Sequence, residues 1–172
     1  MVTESLLIIT GSMGAGKTTV LGEASDLLAR RDMTHAAIDL DALGLAHLPS
    51  TSRDAAMYQN LRSVCDNYAS FGVRRLLLAR AIEDRAELEQ CRSSVSATHT
   101  VICRLTAGVE VMRQRVQGRE LGVSQRDYVA RVAKLNVILD RARLEDFTVT
   151  SDNRPPTEIA QEMLIKAGWI SS

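Results

Sequence analysis

Residues 11–18, Gly11-Ser12-Met13-Gly14-Ala15-Gly16-Lys17-Thr18, match the pattern G-x-x-x-x-G-K-[ST] in full. The pattern is restrictive because every position serves one geometry. Glycines let the backbone turn tightly and aim successive N–H groups at phosphate oxygens without side-chain collisions. A helix starting near Gly16 brings its partial positive charge to the same point. Lys17 then reaches the β- and γ-phosphates, and the Thr18 hydroxyl is placed to ligate Mg²⁺. The flanks agree with this reading. An apolar run from Leu6 to Ile9 reads as a strand ahead of the loop, and an amphipathic stretch follows it.

The rest of the chain repeats that alternation. Short apolar runs at 6–10, 35–39, 73–79, 100–105 and 147–151 predict strands. They are mostly apolar rather than alternating, as strands buried on both faces are. Between them, 16–31, 53–70, 82–91, 109–117, 125–144 and 157–167 predict helices. Pro155 and Pro156 precede the last helix, where proline suits a first turn, and Gly168 follows its end. Five strands alternating with helices imply an α/β fold, a parallel sheet covered by helices on both faces. At 172 residues, the expectation is a single domain over 1–172.

Composition narrows the partners. The 21 basic and 21 acidic residues cancel, which counts against bulk-charge binding to nucleic acid or an anionic membrane. No stretch approaches the ~20 apolar residues that span a bilayer, and Glu4 with a short apolar run does not make a signal peptide. Cys65, Cys91 and Cys103 are odd in number and lack metal-ligand spacing, as do the scattered His35, His47 and His99. A cytoplasmic protein is the expectation.

With Gly14 and Thr19 included, the loop reads G-x-x-G-x-G-K-T-T and resembles that of the small nucleotide and metabolite kinases. Adenylate, shikimate and gluconate kinases and the antibiotic phosphotransferases belong to that group. The resemblance implies the three-layer P-loop fold, with five parallel strands in the order 2-3-1-4-5. It also implies ATP and Mg²⁺ bound at Gly11, Ser12, Met13, Gly14, Ala15, Gly16, Lys17, Thr18 and Thr19. An arginine-bearing lid falls at about 113–131, and the region that binds a small phosphoryl acceptor at about 41–70.

Three further segments carry the likeness. The second strand ends Ile38-Asp39-Leu40-Asp41, and alternation along an extended chain puts both carboxylates on one side, at the carboxyl edge of the sheet. A D-x-D here is similar to shikimate kinase, which implies that Asp39 faces the metal and Asp41 holds the acceptor hydroxyl as its base. A solvated strand end with a helix-capping Asp is the plainer account of the pair. Arg115-Val116-Gln117-Gly118-Arg119 resembles the start of the adenylate kinase lid, which implies Arg115 stacked on adenine and Arg119 on phosphate. Arg126 and Arg131 follow on the next helix. The turn 151–156, with Asp152 and Pro155, resembles the loop that lines the adenine pocket in such kinases; a plain turn into the last helix is the other account.

The likeness breaks after the third strand. Arg80-Ala81 stands where many P-loop enzymes carry an acidic residue and shikimate kinase a glycine run. The favoured function is a kinase moving the γ-phosphoryl of Mg-ATP to a small acceptor, with Lys17, Asp41 and Arg119 as its catalytic groups. The alternative is a nucleotide-binding regulatory protein with weak or no turnover. A GTPase switch is disfavoured: Asp41-Ala42-Leu43-Gly44 reads D-x-x-G but follows the second strand, and no N-K-x-D motif appears. On the helix over the acceptor region, Arg53, Tyr58, Arg62 and Tyr68 are the polar options, and Met57, Leu61 and Val64 the core side. No motif names the acceptor.

Overall fold

The computed structural model describes residues 3–119 and 125–171. In chain order the elements are β1 (Thr3–Thr10), α1 (Lys17–Ala29), β2 (Ala36–Asp39), α2 (Leu40–Leu43), α3 (Ser50–Ser70) and β3 (Arg75–Ala79). They continue with α4 (Arg85–Val95), β4 (Ala97–Thr106), α5 (Val109–Arg119), α6 (Gln125–Ala142), β5 (Phe147–Thr150) and α7 (Pro156–Lys166). All strand pairings are parallel, in the order β2-β3-β1-β4-β5.

Position in that order explains the sequence pattern. β1 is central, so Leu6, Leu7, Ile8 and Ile9 are all fully buried, but alternate residues serve opposite faces. Leu7 and Ile9 join one core with Leu28, Met112, Val132 and Met163. Leu6 and Ile8 join the other with Met57, Leu61, Leu88 and Cys91. Each such leucine contributes about 1.5–3 kcal/mol by leaving water, which makes the strand a fixed platform for the loop at its carboxyl end.

Several boundaries differ from expectation, each for a local reason. α4 starts at Arg85 rather than near residue 82, because Asp84 caps it by accepting from the Glu87 amide at 2.8 Å. β4 extends back to Ala97, since Thr3 and Ser5 of β1 pair with Ala97 and His99 there, and Thr98 Oγ1 donates to the Glu4 carbonyl at 2.8 Å. Its first residues are polar and partly exposed, so they do not form part of the apolar run. The short α2 is not among the helices the apolar pattern predicts, although a helix-capping Asp at the end of β2 is the plainer account of the Asp39 and Asp41 pair given above. Asp39 ends β2 and caps α2 by accepting from the Asp41 amide at 3.2 Å. Asp41 is therefore helical, not extended as expected, and it is a helical turn that follows Asp39.

Candidate functional site

The loop after β1 is held from three directions. Ser12 is buried, and its hydroxyl donates to the Val132 carbonyl of α6 at 2.9 Å. Ser151, just after β5, donates from Oγ to the Ala15 carbonyl at 2.9 Å. Arg115 of α5 donates from Nη1 to the Gly14 carbonyl at 3.2 Å and to Ser151 Oγ at 3.0 Å, and from Nη2 to the Ser151 carbonyl at 2.8 Å. Gly14 itself lies at φ 79°, and a Cβ there would strike the Met112 carbonyl oxygen of α5. Loop, α5, α6 and the 151–156 turn thus form one assembly.

Lys17 opens α1, and its ammonium folds back to donate to the Gly11 and Ser12 carbonyls at 3.0 and 3.1 Å. Burial lowers its pKa from 10.5 to about 8; the Asp41 and Asp39 carboxylates oppose that fall, and the Arg119 and Arg80 charges add to it. Those four side chains consequently share the electrostatic neighbourhood of Lys17. Next along the helix, the exposed Thr18 donates from Oγ1 to Asp39 Oδ2 at 2.7 Å. Thr19 is exposed on the same turn.

The two carboxylates therefore do converge on Lys17, although a helical turn rather than an extended strand brings Asp41 there. Asp41 is also engaged: Arg80 donates from Nη1 to its Oδ1, and from Nε to Glu87 Oε1 at 2.9 Å. The second Glu87 oxygen accepts from the Glu83 amide at 2.9 Å. In the sequence Arg80 is legible only as the absence of an acid; its partners are set by the fold. A basic residue closing a buried apolar strand signals that a carboxylate must lie near, yet the chain offers Asp41, Glu83, Asp84 and Glu87 without ranking them.

The remaining expected residues fall as follows. Arg119, in the last turn of α5, is exposed and close enough for its charge to bear on Lys17. Asp152 accepts from the Gly108 amide at 2.9 and 3.2 Å, and Pro155 caps α7. Arg126 is exposed, whereas Arg131 donates to Glu83 Oε1 at 2.5 Å. The pair of Glu83 and Arg131 borders an open groove of about 410 Å³ against α6 that also includes Lys134 and Leu135. Within the expected lid, residues 120–124 lie outside the described residues. In the expected acceptor region Tyr58 is corrected: it is buried, with its hydroxyl 3.6 Å from Cys91 Sγ, and faces the core rather than a ligand. Met57 and Leu61 are buried beside it as expected.

The donor set suits Mg²⁺. A hydroxyl and a carboxylate in contact are hard oxygen ligands, and this ion takes one or two carboxylates with phosphate oxygens and waters rather than an all-protein cage. No group of three or more His, Cys, Asp or Glu among the described residues is placed to hold a metal ion.

No protein-family model matches the sequence, and no curated protein matches it. Solved structures do. A gluconokinase from Sinorhizobium meliloti matches 98% of this chain over 94% of its own, at 17% identity and a TM-score of 0.64. A shikimate kinase from Bacteroides thetaiotaomicron matches 95% over 98% of its own, at 13% identity and a TM-score of 0.65. The APS kinase of Mycobacterium tuberculosis, solved in complex with AMPPNP and APS, matches 97% over 98% of its own, at 17% identity and a TM-score of 0.60. The chain thus has the fold of the P-loop small-molecule kinases, with the strand order that the loop's resemblance implied. No helix among the described residues is long and apolar enough to cross a membrane.

Proposed function

We propose that the protein is an ATP-dependent phosphotransferase acting on a small-molecule acceptor. The observation that carries this reading is the convergence of Lys17, Thr18, Asp39 and Asp41 at the carboxyl edge of a parallel sheet, beside a glycine-rich loop held on three sides. The similar kinases, one of them solved with AMPPNP, support ATP as the donor. Loop amides and Lys17 would hold the phosphates, Thr18 and Asp39 would hold Mg²⁺, and Arg119 would meet the charge that builds on the transferred group. When bound, the ion neutralises phosphate charge. In the transfer itself, an acceptor hydroxyl oxygen bonds to the γ-phosphorus while the bond to the bridging β–γ oxygen breaks, and ADP leaves with that electron pair. Asp41 orients the hydroxyl and takes its proton late in the step.

A second reading, a nucleotide-binding regulatory protein with weak or no turnover, draws on one observation. Arg80 already occupies one oxygen of Asp41, so the carboxylate has less to offer an acceptor. A screen of ATP consumption over pools of hydroxylated and phosphorylated metabolites separates the two, with Lys17→Ala as the blank. Acceptor-dependent ADP release supports the enzyme. ATP binding with no release above the blank over the whole panel supports the regulator.

A further inference from the structure

The side chain that replaces the usual acidic residue after β3 is built into the site more firmly than a surface arginine would be. The Arg80 amide donates to the Ile9 carbonyl at 3.1 Å, and two residues later the Ile82 amide donates to Thr10 Oγ1 at 3.0 Å. This stitches the Arg80 backbone to the end of β1, where the phosphate loop begins. Its guanidinium is then held by Nε on Glu87, which is itself fixed at both oxygens and by its amide on Asp84. Arg80 and Glu87 side chains are only 23% and 17% exposed, whereas Asp41 is 61% exposed.

We propose that Arg80 is a positioning residue for phosphoryl transfer: it grips Asp41 by Oδ1 and leaves Oδ2 to engage the acceptor. This rests on the phosphotransferase reading above. Oδ2 of Asp41 has no hydrogen-bond partner among the described residues. Stability is a poor account of the contact, since an ion pair with so exposed a partner contributes little. Geometry is a better one. A planar guanidinium clamped through Nε leaves Nη1 at a fixed place, so the freely rotating carboxylate of Asp41 acquires one orientation relative to Lys17 and the loop. The acidic residue found here in other P-loop proteins is thus replaced by a cation that recruits its carboxylate from α2, 39 positions earlier in the chain.

The test uses the full chain with Mg-ATP and water as the acceptor, and reads ADP release, ATP affinity and the side-chain resonances of Arg80. In the parent, a guanidinium held at both Nε and Nη1 should show resolved Nη signals, which collapse to one in Asp41→Ala. Arg80→Gln should lower turnover about tenfold or more with ATP affinity kept within about twofold. Arg80→Lys should recover part of the loss, and added guanidinium should recover part of it in Arg80→Ala. In the Asp41→Asn background Arg80→Gln should add nothing, because one residue acts through the other. Arg80 and Asp41 effects that add, a single averaged Nη signal in the parent, or equal turnover in Arg80→Gln and parent, including none in either, would overturn the proposal. Failure of the nucleotide reading shows separately, as unchanged ATP affinity in Lys17→Ala.

Discussion

The Thr18 hydroxyl donates to the Asp39 carboxylate at 2.7 Å, joining the first turn of α1 to the end of β2 across 21 positions of sequence. Both oxygens suit a hard cation, so the pair should act as one unit in binding Mg²⁺ with nucleotide. Thr18→Val and Asp39→Asn should each weaken Mg-ATP binding by about 1.5–3 kcal/mol, the range of a contact to a charged group. Affinity for ATP in excess chelator should change far less, and the double variant should lose little more than either single one. Calorimetry with and without Mg²⁺ checks this; equal losses under both conditions would remove the metal role.

Lys17 supplies a pH dependence whose sign follows from its lowered pKa of about 8. The folded chain gives up this proton at lower pH than the unfolded chain, whose lysine keeps its ordinary value of 10.5. The unfolded state therefore binds more protons across that interval, and the ligand-free protein gains stability from this group as pH rises through it. Below the folded value the penalty of a desolvated ammonium is present in full. Phosphate binding runs the opposite way because it needs the ammonium. ATP affinity should fall above about pH 8, by up to about tenfold per unit. Titrations across that range should show the fall in the parent and a flatter line in Lys17→Ala.

Two glycines of the loop should respond differently to the same change. Gly14 and Gly16 both have positive φ, 79° and 97°, but an added Cβ meets the Met112 carbonyl at Gly14 and nothing within 4 Å at Gly16. Gly16→Ala should cost only backbone strain, on the order of 1 kcal/mol. Gly14→Ala should cost more, about 2–4 kcal/mol, as α5 is pushed from the loop. Denaturant melts of the two variants rank them; the reverse order would contradict the packing of α5 on the loop.

Arg115 ties Gly14 to Ser151 with three hydrogen bonds and so holds the loop whether or not a base is present. Arg115→Ala should weaken inorganic triphosphate as well as ATP. The loss should be larger for ATP, by about 0.5–2 kcal/mol if the guanidinium face also stacks on adenine. Competition titrations with the two ligands measure both parts. An unaffected triphosphate would show that the loop does not depend on this tie.

What the sequence reveals follows the range of the interactions. The loop is contiguous, and its glycines, Lys17 and Thr18 are legible because each acts on its immediate neighbours. The sheet class is legible because β1, β3 and the second half of β4 are buried on both faces and so read as apolar runs. Strand order is not, and came only through the loop's likeness to known kinases. Asp39 and Asp41 are legible as a pair of carboxylates after β2 but not in their geometry: the capping bond of Asp39, not an extended chain, sets the position of Asp41 by turning it onto a helix. The contacts that finish the site are longer still. Ser12 meets Val132 at a separation of 120 residues, Arg115 meets Gly14 at 101, and Arg80 meets Asp41 at 39. Nothing local marks those partners, because a serine or an arginine satisfies its donors wherever the fold brings an acceptor.

The central claim is that the loop around Lys17 binds the phosphates of ATP. Its most direct test is isothermal calorimetry of Mg-ATP against the parent and Lys17→Ala, with thermal melts of both in the absence of ligand. Removing a desolvated ammonium should leave the ligand-free melting temperature equal or higher. Affinity should fall at least about tenfold, the effect of losing a charged contact to phosphate. Equal affinity in the two proteins, or loss of binding that merely tracks loss of folding, would contradict it.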